Sequence, residues 1–205
     1  MKKIFVLLLA GMLLTGCASE SSDSTVPENA APQTESAGQS DNDGGTNADA
    51  SEEETYVLSF DAKTIDGDEF SSEKFIESKI TMINVWATYC NPCLAEMPDL
   101  GEIAQSYDEA DFQLVGIISD VVDSAPQSDI DNAKDLIEQT KADYPHLLLN
   151  ESLFENLVGG VSSVPTTFFV NSKGEVLGYV VGANDKETWE EIIDELLAKE
   201  GDKDE

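Results

Sequence analysis

The chain has 205 residues, of which 40% are hydrophobic, and this is enough for one domain of ordinary size with a buried core. Eleven basic residues, all Lys, stand against 42 Asp and Glu and give a formal net charge of −31. Such a chain repels phosphate backbones, so the composition argues against nucleic-acid binding. One histidine and three cysteines argue against His-based metal cages, His-dependent catalytic triads and a disulfide scaffold.

The first 17 residues form a leader. Two lysines precede an apolar run of eleven residues, Ile4–Leu14. Eleven residues rise about 16 Å as a helix, about half of a bilayer core, so the run predicts a signal peptide and not a membrane span. The run ends in Leu14-Thr15-Gly16-Cys17, which resembles a bacterial lipobox. The resemblance implies lipidation of Cys17 and a lipid anchor at the extracytoplasmic face of the bacterial cell membrane; the alternative is an ordinary signal peptide followed by a chance cysteine.

Residues 18–55 are acidic and almost free of large apolar side chains. The segment has ten acidic residues and no Lys, and Val26 is its one apolar residue larger than Ala. Nothing in it offsets the chain entropy lost on folding, so it is predicted to be a disordered linker. A flexible chain of this length spans roughly 35 Å, and we interpret the segment as a spacer.

From Tyr56 the sequence alternates between strand-like and helix-like patterns, which predicts one domain over residues 56–200 and an acidic tail over 201–205. The predicted strands are Tyr56–Phe60, Ile80–Ala87, Phe112–Ser119, Leu147–Leu149, Thr166–Val170 and Val176–Val181. The predicted helices are Ser72–Ser78, Asn91–Tyr107, Asp129–Lys141, Leu153–Val158 and a last helix with an apolar stripe from Trp189 to Leu197. A turn at Asp66-Gly67 indicates an N-terminal β-hairpin. The order predicts an α/β fold, with a mixed sheet covered by helices on both faces.

The chemistry of the chain centres on Cys90-Asn91-Pro92-Cys93, between a predicted buried strand and a predicted helix. Cys90 would lie at a helix N-terminus, where free N–H groups and the helix dipole favour a thiolate. Cys93, one turn further in, would be more shielded and would resolve the mixed disulfide that an exposed Cys90 forms. A structural disulfide closes too short a loop to stabilise the fold much, and a zinc site usually needs four ligands. We therefore expect redox use, with no metal and no cofactor.

Two motifs together resemble the thioredoxin superfamily. Residues 86–93 read WATYCNPC after a hydrophobic strand, and Val164-Pro165-Thr166 precedes another. The leader, the Asn91-Pro92 pair and Glu96 are similar to the TlpA/ResA-like group of membrane-tethered thiol-disulfide oxidoreductases. The resemblance covers residues 56–200 and implies a thioredoxin-like fold with a cis peptide bond before Pro165, beside the disulfide. It also implies that the Val164 backbone pairs with a client's extended chain and that Pro165 keeps metal away from the cysteines.

Further site residues follow from the same resemblance. Glu96 lies one turn after Cys93, where the group carries a functional Glu; we expect it to disfavour thiolate and to accept the Cys93 proton. The alternative is an exposed helical acid. Asn84 stands where thioredoxin has a buried acid that handles the second cysteine's proton, which an amide cannot do. Trp86 is expected to pack beneath the motif, and Tyr89 replaces the Trp that is common before the first Cys.

These residues form one predicted site. Cys90, Cys93, Glu96 and Pro165 are its predicted catalytic residues, and its predicted supporting residues are Trp86, Asn91, Pro92 and Val164.

The direction of electron flow follows from charge. The inner pair Asn91-Pro92 has no positive charge to stabilise thiolate, and Glu96 adds a negative one. We therefore expect a potential nearer to the roughly −270 mV of thioredoxin than to the roughly −120 mV of a dedicated oxidant. The predicted function is an extracytoplasmic reductase of client disulfides that supports cytochrome c maturation or a methionine sulfoxide reductase. A membrane electron-donor protein of the thiol-transfer type would recharge it.

Alternatives remain open at this point. One is a disulfide-forming oxidase, and another is a copper-binding module of thioredoxin fold, which would call for Cys-x-x-x-Cys and a distant His ligand. A peroxiredoxin would want a lone peroxidatic Cys and an Arg partner. His146 is interpreted as a strand-end or surface residue, and the predicted loop Asp120–Ser128 as a segment that shapes client choice.

Overall fold

The computed structural model describes residues 56–201. The predicted signal peptide, the lipidation site Cys17, the acidic linker and residues 202–205 of the acidic tail lie outside the described residues. Within the described range, no helix has the length and the apolar composition that crossing a membrane requires.

The described residues form seven strands and four α-helices. The strands are β1 (Asp61–Lys63), β2 (Glu69–Ser71), β3 (Ile80–Trp86), β4 (Phe112–Val122), β5 (His146–Leu149), β6 (Thr166–Asn171) and β7 (Val176–Val181). The helices are α1 (Asn91–Ala104), α2 (Gln127–Thr140), α3 (Glu151–Asn156) and α4 (Lys186–Gly201), with short 3-10 helices at Ser72–Glu77 and Val158–Gly160.

Five of the strands form a mixed sheet in the order β5-β4-β3-β6-β7. The strands β3, β4 and β5 are parallel, β6 pairs antiparallel with β3, and β7 pairs antiparallel with β6. Helices α1 and α2 lie in the connections between the parallel strands, as a parallel pairing requires. The fold is thioredoxin-like, with a separate antiparallel hairpin of β1 and β2 before it; the predicted fold class is confirmed.

Strand β3 is buried along its whole length, which explains its continuous apolar sequence. Because successive side chains of a strand point to opposite faces, Ile83 and Val85 pack on one face with the N-terminal hairpin and α3. Asn84 and Trp86 therefore face α1 on the other side. This alternation brings a polar residue of the central strand beneath the helix that carries the two cysteines.

Two sequence expectations about the elements are wrong. Residues 56–60 are not a strand: Val57 makes a single bridge to Glu175, and the first strand begins at Asp61. The predicted loop Asp120–Ser128 is much shorter, because β4 continues to Val122, which pairs with Leu149 of β5 after a shift in register. Only residues 123–126 then connect β4 to α2.

Candidate active site

The cysteine motif lies where β3 ends and α1 begins. Cys90 is the N-cap of α1, and its Sγ accepts a hydrogen bond of 3.2 Å from the backbone N–H of Cys93. Pro92 stands in the first turn, where its missing N–H costs no helix hydrogen bond. The two cysteines form a disulfide with their Cα atoms 5.3 Å apart. The local sequence thus places the sulfur of Cys90 at the positive end of the helix dipole.

Both cysteines are buried, and they differ slightly in the exposed fraction of the residue. Cys93 is 0% exposed and Cys90 is 6% exposed, so Cys93 is the more shielded of the pair. The expectation of an exposed Cys90 is wrong for this disulfide form, since apolar side chains of a common cluster, among them Trp86 and Ile118, surround both cysteines. Tyr89, immediately before the motif, is 74% exposed. Tyr89 and, to a small extent, Cys90 are therefore the accessible residues at this point, and Cys93 is not.

Asp120 holds the turn that leads into the motif. Its carboxylate accepts hydrogen bonds from the backbone N–H of Thr88, at 3.0 Å, and from the Thr88 hydroxyl, at 2.5 Å. The neighbouring Ser119 hydroxyl donates to the Trp86 carbonyl at 2.9 Å. Sequence reasoning assigned Asp120 to a loop and missed this contact. The sequence feature that could have predicted this contact is an acidic residue near the carboxyl end of β4, the strand that pairs with β3.

Trp86 packs beneath the cysteines, as predicted, and is 0% exposed. Its indole N–H donates to Nδ1 of His146 at 3.1 Å, and the His146 Nε2–H donates to the Ala142 carbonyl at 3.0 Å. Of the two interpretations of His146, the strand-end residue is correct and the surface residue is wrong, since His146 begins β5 and is buried. Burial lowers the pKa of His146 to about 4, so the ring is neutral at physiological pH.

Glu96 lies one turn beyond Cys93 on α1 and is only 3% exposed. Its Oε1 accepts a hydrogen bond from Asn84 Nδ2 at 3.1 Å, and its Oε2 accepts one from the backbone N–H of Asn184 at 3.2 Å. Burial raises the pKa of Glu96 to about 7, although these hydrogen bonds favour the charged form. The alternative of an exposed helical acid is wrong. A carboxyl group that titrates near neutrality is suited to exchange a proton with a thiol.

Burial and the charge of Glu96 also raise the pKa of Tyr144, which packs on the His146 ring at 4.3 Å between centroids. Sequence reasoning gave Tyr144 no part in the site.

The second motif lies at the start of β6. The peptide bond between Val164 and Pro165 is cis. Val164 packs against the cluster that holds both cysteines, and the Pro165 carbonyl accepts a hydrogen bond from Gly182 at 2.9 Å. The structure thus brings the two sequence motifs together. The remaining supporting residues, Asn91 and Pro92, are exposed at the start of α1.

Comparison with known proteins identifies the family. A sequence model of the AhpC/TSA family matches residues 55–178. The chain is 26% identical over 125 residues to the thiol-disulfide oxidoreductase ResA of Bacillus thuringiensis strain Al Hakam, across 60% of this chain and 66% of that protein. It is 31% identical over 142 residues to the thiol:disulfide interchange protein DsbE of Pseudomonas fluorescens biotype C, across 68% of this chain and 71% of that protein.

A solved structure shows the same architecture. The thiol:disulfide interchange protein of the thioredoxin family from Chlorobium tepidum TLS superposes with a TM-score of 0.59 at 28% identity. The match covers 70% of this chain and 96% of that one. The geometry of the site agrees with these sequence matches. It combines a Cys-x-x-Cys motif, between a buried strand and a helix N-terminus, with a cis proline near the cysteines. The chain therefore belongs to the AhpC/TSA family and to the ResA/TlpA-like group of thiol-disulfide oxidoreductases.

Proposed function

We propose that the chain is an extracytoplasmic protein disulfide reductase, that residues 56–200 are its catalytic domain, and that a lipid on Cys17 anchors it to the membrane. The predicted leader and lipobox support the location. The observation that carries the activity is the geometry of one disulfide: Cys90 caps a helix N-terminus, while Cys93 is fully buried one turn behind it.

The proposed reaction moves two electrons from the dithiol to a client disulfide. The Cys90 thiolate attacks one client sulfur, a Cys90–client disulfide forms, and the other client sulfur leaves as a thiolate that takes a proton. Cys93 then gives its S–H proton to the Glu96 carboxylate and attacks Cys90 Sγ. The Cys90–Cys93 disulfide forms, and the second client sulfur leaves as a thiol after protonation. Client and enzyme exchange oxidation states, so no cofactor takes part.

The reducing direction is proposed from the charges around the sulfurs. A strong oxidant stabilises its thiolate, and therefore its reduced form. The side chains between the cysteines, Asn91 and Pro92, carry no positive charge. Glu96 lies one turn away, and a carboxylate there disfavours a second negative charge on sulfur. Both features stabilise the disulfide relative to the dithiol, as in a reductase.

The client and the electron donor are proposed as classes. A membrane protein that passes on electrons through its own dithiol would reduce the Cys90–Cys93 disulfide again after each turnover. The client would be an apocytochrome c or a methionine sulfoxide reductase, held at the cis Val164–Pro165 segment through the Val164 backbone. The names of the ResA and DsbE relatives support disulfide exchange with proteins, and neither name specifies a client.

A disulfide-forming oxidase is the main competing function, because the same geometry serves both directions. The copper-binding module is disfavoured by His146, the one histidine of the chain. Both of its ring nitrogens are hydrogen-bonded within the protein, and burial keeps it from reaching an external metal.

Two measurements on the detergent-purified full chain test the proposal. In the first, insulin disulfides are reduced in the presence of dithiothreitol; the wild type should be active and Cys90→Ser should not. The second is the midpoint potential of Cys90–Cys93 in glutathione or dithiothreitol buffers. A value below about −230 mV supports a reductase, and a value of about −120 mV makes the protein a disulfide-forming oxidase. A wild type as inactive as Cys90→Ser contradicts any exchange activity.

A further inference from the structure

A buried amide on the central strand contacts the proton acceptor of the proposed reaction. Asn84 is 0% exposed, and its Nδ2 donates two hydrogen bonds, to Glu96 Oε1 at 3.1 Å and to Thr167 Oγ1 at 3.0 Å. Both N–H bonds of the amide are therefore used. Thr167 lies directly opposite Asn84 in the pairing of β3 with β6. The strand that begins after the cis proline thus sets the orientation of the amide.

The Glu96 carboxylate is held by N–H donors on both of its oxygens. Asn84 binds Oε1, and the backbone N–H of Asn184 binds Oε2. Among the salt bridges of the described residues, none includes Glu96. In the absence of a cation, neutral donors stabilise the buried negative charge at this position. Asn84 and Asn184 lower the pKa of Glu96 most, the Trp189 side chain lowers it further, and the charge of Asp99 raises it. The Asn184 donor belongs to the backbone, whereas Asn84 acts through its side chain, so its contribution can be tested by substitution.

A purely structural explanation of Asn84 is weak. Its Oδ1 is buried and has no hydrogen-bond partner within residues 56–201. A buried acceptor without a partner costs free energy that an apolar side chain of similar size would avoid. The amide therefore leaves one of its own atoms unpaired while it satisfies Glu96.

We propose that Asn84 is a positioning residue for Glu96: its amide, oriented by Thr167, holds the ionised carboxylate one helical turn from Cys93, ready to accept the thiol proton. This inference rests on the proposed function, in which Glu96 takes that proton. An amide at this strand position does not exchange the proton itself. It acts on proton transfer through Glu96 on the neighbouring helix: Asn84 positions the carboxylate, and Glu96 exchanges the proton.

The test compares pH profiles for oxidation of the reduced protein by oxidised glutathione, followed by tryptophan fluorescence from pH 5 to 9. The wild type should show an inflection near pH 7 that Glu96→Gln abolishes, since burial raises the pKa of Glu96 to about 7. The Asn84 hydrogen bond lowers that pKa, so Asn84→Ala should move the inflection upward by about one pH unit. At pH 7 the rate should fall about fivefold, which is the change in ionised fraction for that shift.

Controls separate positioning from packing. Thr81→Val changes a polar side chain on the same strand, also 0% exposed, that makes no contact with Glu96 in the described hydrogen bonds; its inflection should stay near pH 7. In the Glu96→Gln background, Asn84→Ala should have no further effect on the profile. If Asn84→Ala does not fold, Thr167→Val replaces it, with a smaller upward shift expected because only the orientation of the amide is lost.

The outcomes are distinguishable. An unchanged inflection in both Asn84→Ala and Thr167→Val, or a shift that persists without Glu96, overturns the positioning role and leaves the proposed function intact. If the pH profiles of the wild type and of Glu96→Gln are the same, Glu96 does not take the proton, and this inference fails with it. The proposed exchange activity itself fails if the wild type does not react with disulfides at all, and the reducing direction fails if the midpoint potential is about −120 mV.

Discussion

The indole N–H of Trp86 donates a hydrogen bond of 3.1 Å to Nδ1 of His146, which joins the residue beneath the cysteines to the first residue of β5. The His146 Nε2–H donates to Ala142, so the ring is the neutral tautomer with its proton on Nε2. Between these strands lies β4, where Gly116 pairs with His146. The imidazole occupies space that a side chain at Gly116 would need, and the position of Trp86 therefore depends on three adjacent strands.

Gly116→Ala should destabilise the protein by about 2 kcal/mol, because an added Cβ would lie 2.3 Å from His146 Nδ1 and displace the buried ring. Chemical denaturation measures the change in the free energy of unfolding. Gly178→Ala is the matched control on β7, since nothing lies within 4 Å of its added Cβ. Equal stabilities of the two variants would contradict the packing role of Gly116.

Glu96 and His146 should give the stability opposite dependences on pH. The folded-state pKa of His146 is lowered from 6.5 to about 4, so the unfolded chain binds more protons between these values and stability is lost as pH falls through this window. The folded-state pKa of Glu96 is raised from 4.5 to about 7. The folded chain then binds more protons, and stability falls as pH rises from about 4.5 to about 7.

Because the effects of Glu96 and His146 on stability oppose each other, substituting Glu96 should reveal the pH dependence that His146 causes. In Glu96→Gln, the free energy of unfolding should rise by up to about 3 kcal/mol between pH 4 and pH 6.5, while the wild type changes much less there. Urea denaturation at half-unit pH intervals measures both curves. Parallel curves for wild type and Glu96→Gln would show that Glu96 does not titrate in this window.

Cys93→Ser should accumulate a mixed disulfide between Cys90 and a small disulfide reagent or a client, because the resolving thiol is absent. Mass spectrometry of the intact protein detects the adduct. Cys90→Ser should form little of it, since the remaining thiol of Cys93 is fully buried. Faster labelling of Cys93 than of Cys90 would reverse the assignment of attacking and resolving cysteines.

Asp120→Ala should slow disulfide exchange several-fold and destabilise the protein by about 1–2 kcal/mol, because the turn before Cys90 loses the hydrogen bonds that the Thr88 N–H and hydroxyl donate to Asp120. Stopped-flow oxidation of the reduced protein and denaturation measure the two effects. Asp123→Ala is the control: Asp123 follows the same strand, and within residues 56–201 the hydrogen bonds of the Thr88 N–H and hydroxyl go to Asp120 and not to Asp123. A similar loss of exchange rate and stability in both variants would show that the effect comes from removing a negative charge and not from the hydrogen bonds of the turn.

The sequence predicted the part of the site that depends on neighbouring residues. Cys90 at a helix N-terminus, Cys93 behind it and Glu96 one turn further follow from spacing along a single strand and helix. The errors concern burial and pairing. The predicted loop includes Asp120 because the register shift between β4 and β5 has no local signal. The sequence predicts the place of His146 at a strand end but not its burial, because its partner Trp86 lies 60 positions away in the chain.

By itself, the sequence determined the dithiol chemistry, the order of the α/β elements and the presence of an acid near Cys93, since each depends on contacts within a few residues. Only the tertiary structure decided which partners these groups meet. Asn84 and Thr167 are 83 positions apart in the chain, and Trp86 and His146 are 60 apart. The strand order β5-β4-β3-β6-β7 makes them neighbours, and side-chain hydrogen bonds depend on that order rather than on local sequence pattern.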